Sequence, residues 1–466
     1  MEALKNRKLN LIEIFLILSP IIDLLTAVTA RNFEVSLSIG IVIRAVLMLY
    51  LVGFTFFKST YKNKKLSIAF MLIILLYSVI YTINIYLNKG MANVFFEIKN
   101  LIKTFYFPIC LIGILNYMET KEFHFSPKLM IVIALEYITL LFIPVFFNIG
   151  YESYAEDKIG TIGWFFSSNE ISAIYAILFV FIIFSYDHIK NKLLYFALVI
   201  YCLNTVIQIG TKIPAIAVIF AILCFVLVKF IRYFVYKAKF NKLFALDSII
   251  LIISSVFIIA ISPVVTNYDI YKNYLINTRE SIEVSSESTG KDTIDAEKNK
   301  ELLPDTKDEN KSNVENLMVH NNKELTQDEM ATIIHSGRME TKNKIEEKFK
   351  GAPPLNKLFG IGKLDLNDGT QNLCEIDYYD ILFTFGIIGF ILFFMPIAVL
   401  VLLILKSLNL DKIKNIINNN TILCFGIAFV IGVFLCAIAG HTFTSPDVSI
   451  FIAIALLEIY LAVARK

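Results

Sequence analysis

The sequence predicts an all-α polytopic membrane protein with about twelve transmembrane helices and a large, partly helical extracytoplasmic loop between helices 9 and 10. Three observations predict this class: the composition, the long apolar runs and the positions of the basic residues. Of the 466 residues, 57% are hydrophobic and 18% are charged, and the mean hydropathy is +0.67. A soluble domain is far less apolar, so membrane burial must replace much of the usual core.

Apolar runs of about 17 to 25 residues, long enough to cross a bilayer, recur along the chain. They divide it into 1–266 with nine spans, the loop 267–374, and 375–466 with three spans. The predicted spans are 11–29, 36–57, 66–86, 94–117, 129–147, 169–186, 193–210, 213–235, 248–268, 378–405, 421–440 and 448–464. The first also resembles a signal peptide, but a retained helix is favoured because the second span follows within a few residues.

Lysine and arginine in short loops gather on the cytoplasmic side of a membrane. In this chain they precede span 1, follow the even-numbered spans from 2 to 10, and end the chain at Arg465 and Lys466. Both termini are therefore expected in the cytoplasm and 267–374 outside. Within that loop, 279–328 is acidic without an apolar period, which predicts a solvated or disordered segment. The stretch 329–362 is predicted to be helical.

The composition argues against several classes of function. The net charge of +3 is too small for a nucleic-acid-binding protein. Most of the six cysteines fall in apolar runs, and neither a disulfide framework nor a metal-ligand spacing occurs. The sequence has no glycine-rich phosphate loop. It therefore predicts no metal, no cofactor and no nucleic-acid partner.

Charged residues inside the predicted spans are expected to have a structural or functional role, because each raises the free energy of membrane insertion by about 2.5–3.5 kcal/mol. Asp23, Arg44 and Glu136 are such residues. Either they pair and lock the bundle, or they face a substrate cavity. Lys99 and Lys103 share one helical face near the outer end of span 4, where they either snorkel to the interface or bind an anion.

Further polar residues lie at the predicted outward turns. Lys212, in QIGTKIPA, lies at a predicted outward turn, whereas basic residues usually lie on the cytoplasmic side. A bound anion would explain this position, and a chance departure from the rule explains it equally well. Asn169 lies in SSNEISA, where a helix-capping box is a sufficient explanation. Arg338 is predicted to lie on a helix above the membrane.

Three carboxylates precede or begin span 10 in CEIDYYDILFTFGIIGF: Glu375, Asp377 and Asp380. A helix N-terminus favours negative charge, which explains Glu375, whereas Asp380 lies too deep for that reason alone. His441, in the loop AGHTFTSPDV, is a candidate general base, although a lone loop histidine is more often inert. Together with the cations, these groups suit a diphosphate that carries a sugar.

These motifs resemble the O-antigen ligase and O-antigen polymerase superfamily of bacterial surface-polysaccharide enzymes. GWFFSSNEISAIYA is similar to the family's glycine-aromatic segment, which ends in Asn169. IGTKIPAIAVIFAI is similar to its Gly-Ser-Arg turn, with Lys212 in place of arginine. The most specific match, SGRMETKNKIEEKFKGAPPLNKLFGIG, is similar to its outer-loop helix and contains Arg338. EIDYYDILFTFGIIGF places Glu375 where ligases have the histidine proposed as base.

The resemblance implies metal-independent, inverting transfer of a glycan from undecaprenyl diphosphate to an acceptor hydroxyl. It places the chain in the bacterial plasma membrane, with a lipid-linked oligosaccharide donor and a polysaccharide or other hydroxyl acceptor. The candidate diphosphate-binding residues are Arg338, Lys212, Lys99, Lys103 and Arg44. The candidate bases are Glu375, Asp377, Asp380 and His441. The substituted motif is similar to Gram-positive variants, for which a capsule or cell-wall polymerase is as plausible as a ligase.

Two other classes of function stay open from the sequence. A transporter or flippase of lipid-linked oligosaccharide would also have about twelve spans, but the two halves show no convincing internal repeat. A sensor or scaffold would bind a ligand on its outer loop without chemistry.

Overall fold

A computed structural model describes residues 9–33, 38–154, 158–236, 242–288, 326, 338–364 and 371–465. The described residues form sixteen α-helices, one 3₁₀ turn and a two-stranded antiparallel hairpin. The helices before the hairpin are α1 Leu11–Asn32, α2 Ile39–Phe57, α3 Lys64–Lys89, α4 Met91–Lys121 and α5 Pro127–Phe146. The hairpin pairs β1 Tyr151–Glu152 with β2 Thr161–Gly163.

The remaining helices follow the hairpin. They are α6 Ser168–Ile183, which continues into the 3₁₀ turn Phe184–Asp187, α7 Lys192–Ile207, α8 Lys212–Tyr236, α9 Lys242–Ala260, α10 Pro263–Ser288, α11 Arg338–Gly351, α12 Pro354–Phe359, α13 Asp377–Ser407, α14 Leu410–Asn418, α15 Asn420–Ile438 and α16 Pro446–Val463.

The all-α polytopic class is confirmed, but a count of twelve spans is not. Ten helices of the described chain are long and apolar enough to cross a membrane, and α9 with α10 adds an eleventh if this pair, bent by 46°, is one span. The bend falls inside the predicted span 248–268. The predicted span 193–210 corresponds to α7, which has only 16 residues.

The segment between α10 and α13 differs in detail from the expectation. Helix α10 continues to Ser288, beyond residue 279, where a solvated or disordered segment was predicted to begin. Two helices, α11 and α12, lie within the stretch predicted to be helical. Residues 289–325 and 327–337 lie outside the described part of the chain, and the division at residues 266 and 374 stays a prediction.

Two helices form the centre of the bundle. In both α6 and α16, 83% of an 18-residue stretch is buried, compared with 61% in α4. Their sequences are apolar on every face, as expected for helices surrounded by other helices. Short connections make neighbouring spans antiparallel. The end of the bundle with α11 and α12 is called the loop end, and the opposite end, with residues 9 and 465, is called the termini end.

Helix α13 is broken at Gly386, where φ is 69° and ψ is −177°. Such a break leaves carbonyl groups of the preceding turn without their helical amide partners. The Ile361 amide donates instead to the Phe383 carbonyl at 2.9 Å. The Tyr77 hydroxyl donates to the Phe385 carbonyl at 2.6 Å. The segment FGIG after α12 is thereby fixed against the start of α13.

Replacing Gly386 by alanine should lower the free energy of unfolding by at least about 2 kcal/mol, because a left-handed backbone disfavours a side chain and the site has no room for one. The new Cβ would lie 2.5 Å from the carbonyl carbon of Leu358. Gly426→Ala is the control, since nothing lies within 4 Å of a Cβ there. Thermal unfolding in detergent measures the effect. Equal melting temperatures for the two variants would contradict this packing.

Candidate active site

An ion pair between Arg338 and Glu375 lies at the loop end. Arg338 begins α11, and Glu375 lies two residues before α13. The guanidinium donates to Glu375 Oε2 from Nη2 at 2.8 Å and from Nε at 3.1 Å. Its Nη1 donates to the Ile438 carbonyl at 2.5 Å. The arginine side chain is 12% exposed and the glutamate side chain 41%, so the carboxylate remains accessible.

Glu375 has a left-handed backbone, with φ at 57°. Residues other than glycine adopt this region infrequently, and such conformations cluster at functional sites. Gly440 packs directly on the Glu375 backbone, because a Cβ on Gly440 would lie 2.5 Å from the Glu375 carbonyl oxygen. The next residue, His441, also has a left-handed backbone, with φ at 55°. Two of the four predicted base candidates, Glu375 and His441, are therefore close neighbours through Gly440.

Asp377 is fully buried and holds the loop between α15 and α16. Its Oδ2 accepts the amides of Thr442 at 2.7 Å and Phe443 at 2.5 Å. Its Oδ1 accepts the Thr444 hydroxyl at 3.0 Å. This carboxylate satisfies two buried N–H groups that would otherwise lack a partner. It fixes the residues that follow His441.

Asp380 likewise fixes the backbone, here at the residue that precedes Glu375. Its Oδ1 accepts the Cys374 amide at 2.8 Å and the Cys374 thiol at 3.1 Å. Both aspartates thus accept hydrogen bonds from backbone amides, whereas the hydrogen bonds described for Glu375 come only from the Arg338 side chain. This arrangement weighs against Asp377 and Asp380 as bases, although their role stays a prediction.

A cation group adjoins Arg338. Lys158 and Lys212 both lie close enough to Arg338 for its charge to lower their pKa values. We call Arg338, Lys158 and Lys212 the outer cation group. Burial and the positive charge of Arg338 lower the pKa of Lys158. The Lys158 ammonium lies 5.1 Å and 5.0 Å from the ring centroids of Tyr154 and Tyr271. The aromatic faces offset part of the repulsion among the cations.

Asn267 of α10 positions this group. Its side chain accepts the Ile159 amide at 2.6 Å and donates to the Ile159 carbonyl at 2.6 Å. It also donates to the Gly210 carbonyl at 3.0 Å. Because Ile159 follows Lys158 and Gly210 precedes Lys212 by two residues, one buried amide fixes the backbone beside both lysines.

A cavity of about 540 Å³ is lined in part by His441, and we call it the inner cavity. Helices α1, α2, α4, α6 and α16 contribute to its wall. Its charged residues are Asp23, Arg44, Lys99, Lys103, Glu170, Lys363 and Asp447. The outer cation group does not line it. The predicted cations therefore fall into two groups: Arg338 and Lys212 belong to the outer cation group, and Arg44, Lys99 and Lys103 line the inner cavity.

Several charges of the inner cavity are paired within the protein. Arg44 forms an ion pair with Asp23, and the Tyr137 hydroxyl donates to Asp23 at 2.6 Å. Lys103 lies 3.5 Å from Glu170, which also accepts a hydrogen bond from Ser445. Arg44 and Asp23 pair, as the first of the two predicted alternatives has it, and both also line the cavity, as the second has it. The third residue of that prediction, Glu136, does not line the cavity, and its buried Oε2 has no hydrogen-bond partner among the described residues.

His441 lines the inner cavity. Burial and the positive charge of Lys103 lower its pKa below the ordinary value. An imidazole that stays neutral near pH 7 can accept a proton, so His441 stays a candidate base. Asn169 lies in the first turn of α6, which Ser167 caps by accepting the Glu170 amide, and it does not line the cavity.

Sequence reasoning missed two cations of the site, Lys158 and Lys363. Lys158 lies just before the hairpin strand β2, and no local motif marks it. Lys363 directly follows the FGIG motif that was recognised, so that motif was a usable signal. Among the described residues, no group of three or more histidine, cysteine, aspartate or glutamate side chains could hold a metal ion.

The bundle and its charged loop end define a polytopic membrane protein with a polar site at one side. The family described as O-antigen ligase like membrane protein matches residues 5–464, nearly the whole length. The chain belongs to this family. A search of curated proteins found no match. Membership supports a glycosyltransferase-like role in surface-polysaccharide biosynthesis and a lipid-linked substrate.

Asp377→Ala should lower the melting temperature in detergent by several degrees, because it leaves two buried amides unsatisfied at about 1–3 kcal/mol each. Glu375→Gln should leave the melting temperature nearly unchanged, since an amide oxygen can still accept from Arg338. If Glu375→Gln were the more destabilising variant, Glu375 would be a structural residue and Asp377 would not.

Lys103→Gln should raise the pKa of His441, because a positive charge that disfavours the imidazolium is removed. Histidine NMR of labelled protein in detergent, with His441→Gln for assignment, measures the change. Lys344→Gln, at an exposed position on α11, should leave the His441 pKa as it is. A pKa that falls or stays constant in Lys103→Gln would contradict the proximity of the two groups.

Proposed function

We propose that the protein transfers a glycan from undecaprenyl diphosphate to an acceptor hydroxyl on the extracytoplasmic side of the bacterial plasma membrane. In this proposal the outer cation group binds the diphosphate, and Glu375 is the general base. The product would be a cell-surface or capsular polysaccharide. The observation that carries the proposal is the accessible Glu375 carboxylate held by Arg338 at the loop end. Family membership supports the class of reaction.

The proposed reaction is a single displacement. The acceptor oxygen attacks the anomeric carbon, the bond from that carbon to the diphosphate oxygen breaks, and the base takes the hydroxyl proton. One displacement inverts the anomeric configuration. Negative charge grows on the leaving diphosphate, and fixed cations stabilise it most in the transition state. The scheme uses side-chain cations for this task and requires no metal ion.

Arg338 retains donors for a diphosphate while it holds Glu375. A guanidinium has five N–H groups. The contacts to Glu375 and Ile438 use three of them, one each on Nε, Nη1 and Nη2. Two N–H groups therefore stay available in this arrangement. The planar fork of arginine suits phosphate oxygens. Lys212 and Lys158 add charge without that geometry.

Glu375 is the preferred base for three reasons. Its side chain is 41% exposed, its backbone is left-handed, and its oxygens accept no backbone amide among the hydrogen bonds described above. A carboxylate can remove a proton from a hydroxyl when it is positioned against it. Arg338 supplies that positioning.

Arg338→Ala should abolish transfer from purified lipid-linked repeats, and Glu375→Gln should lower the rate roughly 10²–10⁴-fold while donor binding persists. Gel analysis of the products and a donor-binding titration measure the two effects. A ladder of products would identify a polymerase, and single additions a ligase.

Two controls accompany this experiment. Glu122→Gln changes another glutamate with a left-handed backbone, φ 49°, at the end of α4. Lys344→Gln removes an exposed cation of α11. Both should retain wild-type transfer. Full activity of Glu375→Gln would remove Glu375 from the mechanism and leave His441 as the next candidate.

A further inference from the structure

The inner cavity is lined by the ammonium group of Lys363, which forms no hydrogen bond or ion pair through its Nζ with a residue of the described ranges. Burial and the charge of Lys103 lower the pKa of Lys363, and the charges of Asp380, Glu97 and Glu170 oppose this shift. The Lys363 backbone is fixed, since its amide donates to Glu97 Oε2 at 3.0 Å. The fold thus holds a half-buried cation without a direct partner among these residues, and a bound anion would supply one.

Besides its four cations and the carboxylates Asp23, Glu170 and Asp447, the inner cavity has apolar walls. Phe96, Phe165 and Phe166 line it together with the lysines. Its volume of about 540 Å³ lies in the range of small-molecule pockets, about 300–1,000 Å³. Aromatic rings beside cations fit a ligand that has both an apolar face and a negative charge. A sugar that carries a phosphate or a carboxylate has both.

The position of the cavity indicates which substrate it would take. The cavity is lined by His441 and not by the outer cation group, and His441 adjoins Glu375 through Gly440. In a single displacement the attacking hydroxyl and the leaving diphosphate lie on opposite sides of the anomeric carbon. If the outer cation group holds the leaving diphosphate, the separate cavity beside the candidate bases is available to the acceptor.

We infer that the inner cavity is a subsite for an anionic sugar of the acceptor, with Lys363 as the residue that binds its phosphate or carboxylate. This inference rests on the proposed function, because it takes the outer cation group as the donor site. It assigns Lys363 a binding role and makes the acceptor an anionic glycan.

The test titrates the full-length protein in detergent with glucose 1-phosphate, glucuronate and glucose. Wild type should bind at least one of the two anionic sugars about tenfold more tightly than glucose, as expected for one charge-assisted hydrogen bond. The phosphate and carboxylate arms distinguish the two sources of charge. Lys363→Gln should lose the preference, whereas Lys363→Arg and Lys344→Gln should keep it. The inference would be overturned if the wild-type protein did not prefer an anionic sugar to glucose, or if Lys363→Gln kept that preference.

A second titration, with undecaprenyl diphosphate, separates this inference from the proposed function. Arg338→Ala should weaken binding of this lipid, and Lys363→Gln should not. If Lys363→Gln weakens it and Arg338→Ala does not, the cavity is the donor site and the inference is wrong. If both variants bind the lipid normally while the sugar preference still depends on Lys363, the subsite stands and the donor site of the proposed function fails.

Discussion

The contact between the Arg338 guanidinium and the Glu375 carboxylate is the interaction on which the site depends. It connects the start of α11 to the residues before α13, and the same guanidinium reaches the last residue of α15. Three separate parts of the chain therefore meet at one side chain. Because the guanidinium positions the carboxylate and keeps N–H groups for a ligand, it determines both the proposed base and the proposed diphosphate site.

The surroundings of this ion pair are fixed by polar contacts to the backbone. Asp377 holds the loop after His441, Asp380 holds Cys374, and Glu97 holds Lys363. Gly386 allows α13 to break so that FGIG can bind its free carbonyl groups. These buried carboxylates bind backbone amides and thereby fix the segments that contain Lys363, Cys374 and the residues after His441. A site held this way can position substrates accurately.

The membrane class could be predicted from the sequence because apolar runs report directly on burial in lipid. The differences in detail at 193–210 and 248–268 arise because hydropathy gives neither a helix end at Ile207 nor a bend between Ala260 and Pro263. Local motifs predicted Arg338 and Glu375 as site residues, and the fold brings the two into an ion pair. They could not reveal that Asp377 binds amides 65 and 66 residues away, because such partners exist only in the folded chain.

The most direct test of the central claim is the pH dependence of glycan transfer by Glu375→His. If residue 375 is the general base, this variant should transfer far faster than Glu375→Gln, with a rate that rises as the imidazole loses its proton, near the ordinary histidine pKa of about 6.5. A variant as slow as Glu375→Gln at every pH, or one with wild-type rates and no such rise, would contradict the assignment.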